Sequence, residues 1–95
     1  MNSRHRKTLQ DIFTDPVSPA IHWRDIEALF IALGAITKEG TGSRVNILLD
    51  VRVAVFHRPH PQKQADRDAV KSVRRFLTEA DIYSSHLIFS SRTLA

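Results

Sequence analysis

The sequence predicts a small α+β fold in which three strands form one antiparallel sheet and helices pack against it. A glycine turn at residues 39–44 opens a segment in which Val45, Ile47 and Leu49 alternate with polar residues. This alternation is typical of a half-buried strand. Hydrophobic residues at helical spacing precede and follow the strand region. The predicted order is therefore helix, helix, strand, strand, strand, helix, with a C-terminal tail.

A first helix is predicted over residues 3–15. Leu9, Ile12 and Phe13 fall on one face, and Pro16 prevents the helix from continuing. Basic residues crowd its first turn, where the helix dipole disfavours cations. We interpret this start as a solvated N-terminus, with a phosphate-binding arm as the alternative.

A second helix is predicted from about His22 to Leu33, followed by Gly34 at the position of a left-handed C-terminal cap. Its hydrophobic residues repeat at helical spacing and are interpreted as core. They are Trp23, Ile26, Leu29, Phe30 and Leu33.

Three strands are predicted at residues 35–39, 44–49 and 52–56. A two-residue loop would pair Leu49 with Arg52, whereas a three-residue loop would pair it with Val53. We favour the longer loop, because the β-branched Val51 fits a positive φ angle poorly. The favoured register puts Val45, Ile47, Leu49, Val53 and Val55 on the buried face, and Arg44, Asn46, Phe56 and Arg58 on the open face.

A third helix is predicted after Asp66 and Asp68, whose carboxylates suit a helix N-terminus. Its buried stripe consists of Val70, Val73, Leu77 and Ala80, with Phe76 beside it. The cations Arg67, Lys71, Arg74 and Arg75 lie mostly off that stripe and favour a phosphate-facing surface over a merely solvated one. The tail, residues 83–95, is compatible with an extra strand, a disordered end or a segment that docks on a partner.

The composition limits the possible functions. The 95 residues suit a single domain, 1–95, and the absence of cysteine excludes disulfides, thiolate nucleophiles and cysteine-rich zinc sites. The longest apolar run is too short to cross a bilayer, and the polar N-terminus does not resemble a signal peptide. We therefore expect a cytoplasmic protein with no membrane partner. The net charge of +4 favours a polyanion or an acidic protein as partner.

Two histidines, His57 and His60, lie in a proline-interrupted segment that ends the third strand. No cysteine or carboxylate lies beside them in the sequence, so we expect no metal and no other cofactor. Acid–base cleavage of RNA is the favoured function, because histidine exchanges protons near neutral pH. Arg44, Arg52 or Arg58 would stabilise the phosphate charge. The alternative is that these histidines only hydrogen-bond a loop.

The chain resembles the HicA toxins of bacterial HicA–HicB toxin–antitoxin pairs. The likeness is carried by Gly34 after a helix, Gly42-Ser43 before a strand, His60-Pro61 after a strand, and a basic last helix. It covers about Trp23 to Ile82, so we take residues 22–82 as the HicA-like core, with the helix at 3–15 and the tail at 83–95 outside it. The resemblance implies a double-stranded-RNA-binding-like fold, with helices on one face of a three-stranded antiparallel sheet. It also implies an mRNA endonuclease (mRNA interferase) that a HicB-like antitoxin neutralises.

One position departs from the family pattern. The resemblance implies a catalytic histidine directly after Gly-Ser, where this chain has Arg44. Arginine stays protonated at neutral pH and is a poor general base. Either His57 or His60 supplies the acid–base function, or the chain binds RNA without cleaving it.

The leading hypothesis is therefore a metal-independent endoribonuclease in which Arg44 binds phosphate and His57 and His60 transfer protons. The residues expected to guide the mRNA backbone are Arg44, Arg52, Arg58, Lys63, Lys71, Arg74 and Arg75. Two alternatives stay open. One is a non-catalytic RNA-binding module of the same fold, and the other is a protein-interaction domain that docks an acidic partner.

Overall fold

The computed structural model describes residues 2–59, 64–80 and Ile82. Its elements are α1 (Ser3–Ile12), α2 (Trp23–Ala32), β1 (Ile36–Glu39), β2 (Arg44–Leu49), β3 (Arg52–His57) and α3 (Arg67–Glu79). The strands form one antiparallel sheet in the order β1-β2-β3. The predicted α+β fold and element order are confirmed. His60, Lys63 and the tail at 83–95 lie outside the described residues.

The core lies between the three helices and one face of the sheet. Val45, Ile47 and Leu49 project from β2 into this core and are buried. Phe56 of β3 packs against the rings of Trp23, Phe30 and Phe76, with ring centroids 5.7–5.9 Å apart. This aromatic cluster joins α2 and α3 to the sheet.

The favoured strand register is wrong. Leu49 pairs with Arg52, so the loop contains only Asp50 and Val51. Asp50 adopts a positive φ angle of 63°, so the β-branched Val51 does not have to adopt one. The face of every β3 side chain is reversed as a result. Phe56 is buried in the aromatic cluster, while Val53 and Val55 are exposed.

Local hydrogen bonds cap the C-terminus of α2 and the N-terminus of α3. α2 ends in a Schellman motif, in which Gly34 has φ 94° and the Ala35 N–H donates to the Phe30 carbonyl at 2.9 Å. α3 begins at a cap in which the Asp66 side chain accepts from the Ala69 N–H at 2.7 Å. α1 ends at Ile12, earlier than predicted.

Within the described ranges, none of the helices has the length and hydropathy that crossing a bilayer requires.

α1 packs against α2 and α3. Leu9 and Ile12 are fully buried. The Arg74 side chain of α3 fixes the end of α1, because it donates to the Ile12 carbonyl at 2.8 Å and the Thr14 carbonyl at 3.1 Å. It also contacts the Asp15 carboxylate at 3.0 Å.

Candidate active site on the open face of the sheet

The sheet face opposite the helices, here called the open face, carries the candidate site. Directly paired residues of neighbouring strands point to the same side of a sheet, so the observed register defines this face. Its side chains are Ile36 and Lys38 of β1, Arg44, Asn46 and Leu48 of β2, and Val53, Val55 and His57 of β3. Most of them are exposed.

Arg44 and His57 lie directly opposite each other at one end of the open face. Such cross-strand partners have β-carbons about 5 Å apart, so the guanidinium and the imidazole can reach a common ligand. Both side chains are exposed. A hydrogen bond of 2.8 Å from the Arg58 N–H to the Ser43 carbonyl closes the sheet beside this pair.

The glycine turn positions Arg44. Gly42 has φ 64°, a conformation that glycine adopts without steric cost. The Gly40 N–H donates to the Arg44 carbonyl at 3.0 Å, and the Arg44 N–H donates to the Thr41 carbonyl at 3.2 Å. A β-carbon at Gly40 would lie 2.9 Å from the Arg44 β-carbon, so glycine is required for this close approach.

The open face has a basic half and an apolar half. Lys38 and Asn46 form the row beside the Arg44–His57 pair. Sequence reasoning did not select Lys38, although its alternation with Ile36 along β1 would have placed both on one face. The apolar half consists of Ile36, Leu48, Val53 and Val55, with exposures of 64%, 37%, 65% and 51%.

Arg58 does not share the open face with Arg44, contrary to the register expected from the sequence. Its guanidinium bonds Glu27 of α2 at 2.6 and 2.9 Å and Glu39 of β1 at 2.5 and 2.7 Å. The Trp23 indole N–H also donates to Glu27. Hydrogen bonds from Arg58 lower the pKa of Glu39, and those to Glu27 and Glu39 raise the pKa of Arg58. Through these contacts the Arg58 guanidinium connects the end of β3 to α2 and β1.

The other predicted RNA-guiding cations lie elsewhere. Arg52 pairs with Leu49 at the end of the sheet away from His57. Lys71 and Arg75 are exposed on α3, which packs behind the sheet, and Arg74 is bound to the end of α1. Lys63 and His60 fall outside the described residues, so the predicted grouping of His60 with Arg44 stays a prediction.

His57 also lines a groove at the edge of β3. This groove has a volume of about 260 Å³ and includes Asp66, Asp68 and Ser72 at the start of α3. In the part of the chain that the structure describes, no cluster of three or more histidine and acidic side chains could hold a metal ion.

Comparison with protein-family models finds a match over much of the chain. The family model described as the HicA toxin of bacterial toxin–antitoxin systems matches residues 23–82. No curated protein and no solved structure matches the chain. The matched segment runs from the start of α2 to the residues after α3 and includes the sheet and the Gly42-Ser43 turn. The chain therefore belongs to the HicA toxin family.

Proposed function

We propose that this chain is the toxin of a toxin–antitoxin pair and acts as a metal-independent endoribonuclease on mRNA. The observation that carries the proposal is the exposed Arg44–His57 pair, which adjoins the Gly42-Ser43 turn. An arginine and a histidine directly opposite each other supply a phosphate-binding cation and a proton carrier at one place.

The proposed reaction uses the ribose 2′-hydroxyl of the RNA as the nucleophile. A base accepts the 2′-hydroxyl proton, the 2′-oxygen attacks phosphorus, and the bond to the 5′-oxygen breaks. An acid protonates that leaving oxygen, so the products are a 2′,3′-cyclic phosphate and a 5′-hydroxyl. His57 and His60 share these two proton transfers, and Arg44 stabilises the charge that develops on the phosphate oxygens.

The presence of arginine instead of histidine at position 44 is consistent with these proposed roles. Arginine cannot replace the proton transfer of the histidine that the family resemblance implies at this position, but it binds phosphate well. In the observed register His57 faces the same position from the neighbouring strand. The imidazole would therefore approach the phosphate from β3 instead of β2.

The proposed partner is a HicB-like antitoxin that covers the open face in the cytoplasm. The aliphatic side chains of the apolar half remain exposed in the isolated chain. An exposed aliphatic patch of this kind is typical of a protein-interaction site. Acidic groups of the antitoxin would pair with Lys38 and Arg44 in the basic half and so block access of RNA.

The test is cleavage of labelled mRNA by the purified chain in the presence of EDTA. We expect His57→Gln to reduce the cleavage rate by about 100-fold or more, because general acid–base catalysis typically contributes that much. His60→Ala should abolish growth arrest when the chain is expressed. His5→Gln on α1 is the matched control and should cleave as the unmodified chain does. Undiminished cleavage by His57→Gln would remove His57 from the mechanism.

The second candidate function is RNA binding without cleavage, and the arginine at position 44 is the observation that favours it. This hypothesis predicts RNA binding that weakens as the salt concentration rises, with no RNA cleavage products from the unmodified chain. The same assay therefore separates the two functions.

A further inference from the structure

A cavity lies between the outer side of α2 and the glycine turn, next to the candidate active site. It has a volume of about 620 Å³ and is here called the Trp23 cavity. Its lining residues are Trp23, Arg24, Glu27, Ala28 and Ile31 of α2, Gly42 and Ser43 of the turn, and Arg58 and Pro59 after β3.

The walls of the Trp23 cavity are largely apolar. Trp23, Ala28 and Ile31 lie along one side of α2, and Pro59 lies among the lining residues that follow β3. Ile31 is 60% exposed, and the hydrophobic core does not include it. An exposed isoleucine at the mouth of a cavity suits a ligand with an apolar surface.

Glu27 supplies a hydrogen-bond acceptor in the lining of the Trp23 cavity. Glu27 and Arg58 both line it and bond each other, and Glu39 also accepts hydrogen bonds from Arg58. Glu27 Oε1 accepts one hydrogen bond from Arg58 among the described residues. A carboxylate oxygen has two lone pairs, so this atom can accept a further donor.

The Trp23 cavity and the proposed phosphate site adjoin the same glycine turn. Ser43 lines the cavity, and Arg44, the next residue, projects from the open face. Their α-carbons are about 3.8 Å apart, so the Arg44 side chain starts at the residue next to the cavity lining. Arg24 at the cavity lining adds a cation for the phosphate or ribose of the same nucleotide.

We propose that the Trp23 cavity binds a nucleobase with an exocyclic amino group, taken from the RNA strand whose phosphate lies at Arg44. The proposal rests on the proposed function and adds a source of base preference to it. Adenine, guanine and cytosine present amino N–H donors to the Glu27 carboxylate. Uracil presents carbonyl oxygens on either side of its one ring N–H, and these repel the carboxylate.

The test uses the fluorescence of Trp23, the only tryptophan of the chain. The probes are AMP, GMP, CMP and UMP at low salt, with ribose 5-phosphate as a base-free control and N-acetyltryptophanamide to correct for absorption. We expect saturable quenching by AMP, GMP and CMP, a several-fold weaker response to UMP and none to ribose 5-phosphate. An equal response to ribose 5-phosphate, or no response to any nucleotide, would overturn the proposal.

Paired variants confirm that the response comes from the cavity. Ala28→Phe fills the cavity and should abolish quenching, whereas Ala32→Phe, at an exposed position of the same helix that is not in the cavity lining, should preserve it. Ile31→Ser should weaken quenching several-fold without loss of folding, because the side chain is mostly exposed. Val51→Ser, at an exposed position outside the cavity, is its control. Quenching that survives in both cavity variants would overturn the proposal.

Failure of this inference is distinguishable from failure of the proposed function. If the chain does not cleave RNA but its nucleotide quenching follows the expected order, the base site stands and the nuclease proposal falls. If the chain cleaves a randomised RNA pool and Ile31→Ser leaves the base preference unchanged, the nuclease proposal stands and the base site falls.

Discussion

Arg58 shows how the surroundings of one side chain decide its role. Its partners differ in exposure, since the Glu27 side chain is 17% exposed and the Glu39 side chain is 70% exposed. Glu27 also accepts the indole N–H of the buried Trp23. The bond to Glu27 therefore operates with less solvent screening than the bond to Glu39.

This difference predicts unequal stability losses. Glu27→Ala should lower the free energy of unfolding by about 2 kcal/mol, because it leaves the Trp23 N–H and part of Arg58 without an acceptor. Glu39→Ala should cause a clearly smaller loss. Urea denaturation of both variants measures the two effects, and equal losses would contradict the assignment.

The contribution of Glu39 also depends on pH. Arg58 lowers the pKa of Glu39 in the folded chain, so this contribution is complete above the ordinary glutamate pKa. It is lost as the pH falls through the lowered pKa of the folded state. The stability difference between the unmodified chain and Glu39→Ala should therefore shrink in acid, and a difference that grows in acid would be inconsistent with this pair.

At the scale of elements, α1 lies outside the matched family segment and is nevertheless well packed. The family model begins at Trp23, whereas Leu9 and Ile12 of α1 are fully buried. Arg74 binds the carbonyls at the end of α1. α1 should therefore unfold together with the rest of the described structure.

Neighbouring arginines of α3 provide the test. Arg74→Ala should lower the free energy of unfolding by about 1–3 kcal/mol, because it removes charged hydrogen bonds and leaves the Ile12 carbonyl without this donor. Arg75→Ala removes an exposed side chain and should change it by about 0.5 kcal/mol or less. Thermal unfolding monitored by circular dichroism compares them, and equal melting temperatures would refute the role of Arg74.

The elements show what the sequence can and cannot predict. Helical spacing and Gly34 were sufficient to place α2 and its cap, and alternation was sufficient to place β2. Alternation did not decide the β2–β3 register, because both loop lengths gave β2 the same buried face. The positive φ of Asp50 and the packing of Phe56 among three aromatic rings decided it.

The candidate site was only partly predictable for the same reason. Arg44 and His57 were each selected from the sequence, but their direct pairing depends on the register. The role of Arg58 depends on carboxylates 31 and 19 residues away in the sequence. Local patterns do not contain such long-range pairs.

At the scale of the whole molecule, the net charge of +4 does not indicate which cations are available to a polyanion. Arg4, Lys7, Arg58 and Arg74 each form an ion pair within the described structure. Lys38 and Arg44 lie together on the open face instead. Lys38 and Arg44 therefore supply the positive charge of the proposed RNA site on the open face.

This distribution predicts the salt dependence of RNA binding. The slope of the logarithm of the binding constant against the logarithm of salt concentration changes by about 0.7 for each phosphate contact to single-stranded RNA. Arg44→Gln should therefore reduce the slope by about 0.7. Lys7→Gln removes the same formal charge from α1 and should leave the slope unchanged. Fluorescence anisotropy across a salt series measures both, and identical slopes for the two variants would argue against a phosphate at Arg44.

The exposed aliphatic side chains of the apolar half affect the solubility of newly synthesised copies of the protein. A newly made copy that has not met its neutralising protein displays Ile36, Val53 and Val55 to water, and among the described residues β3 is an edge strand of the sheet. Two such copies can bury these surfaces against each other. We therefore expect free copies to be poorly soluble at high concentration, so that synthesis alongside the neutralising protein governs recoverable yield as well as toxicity.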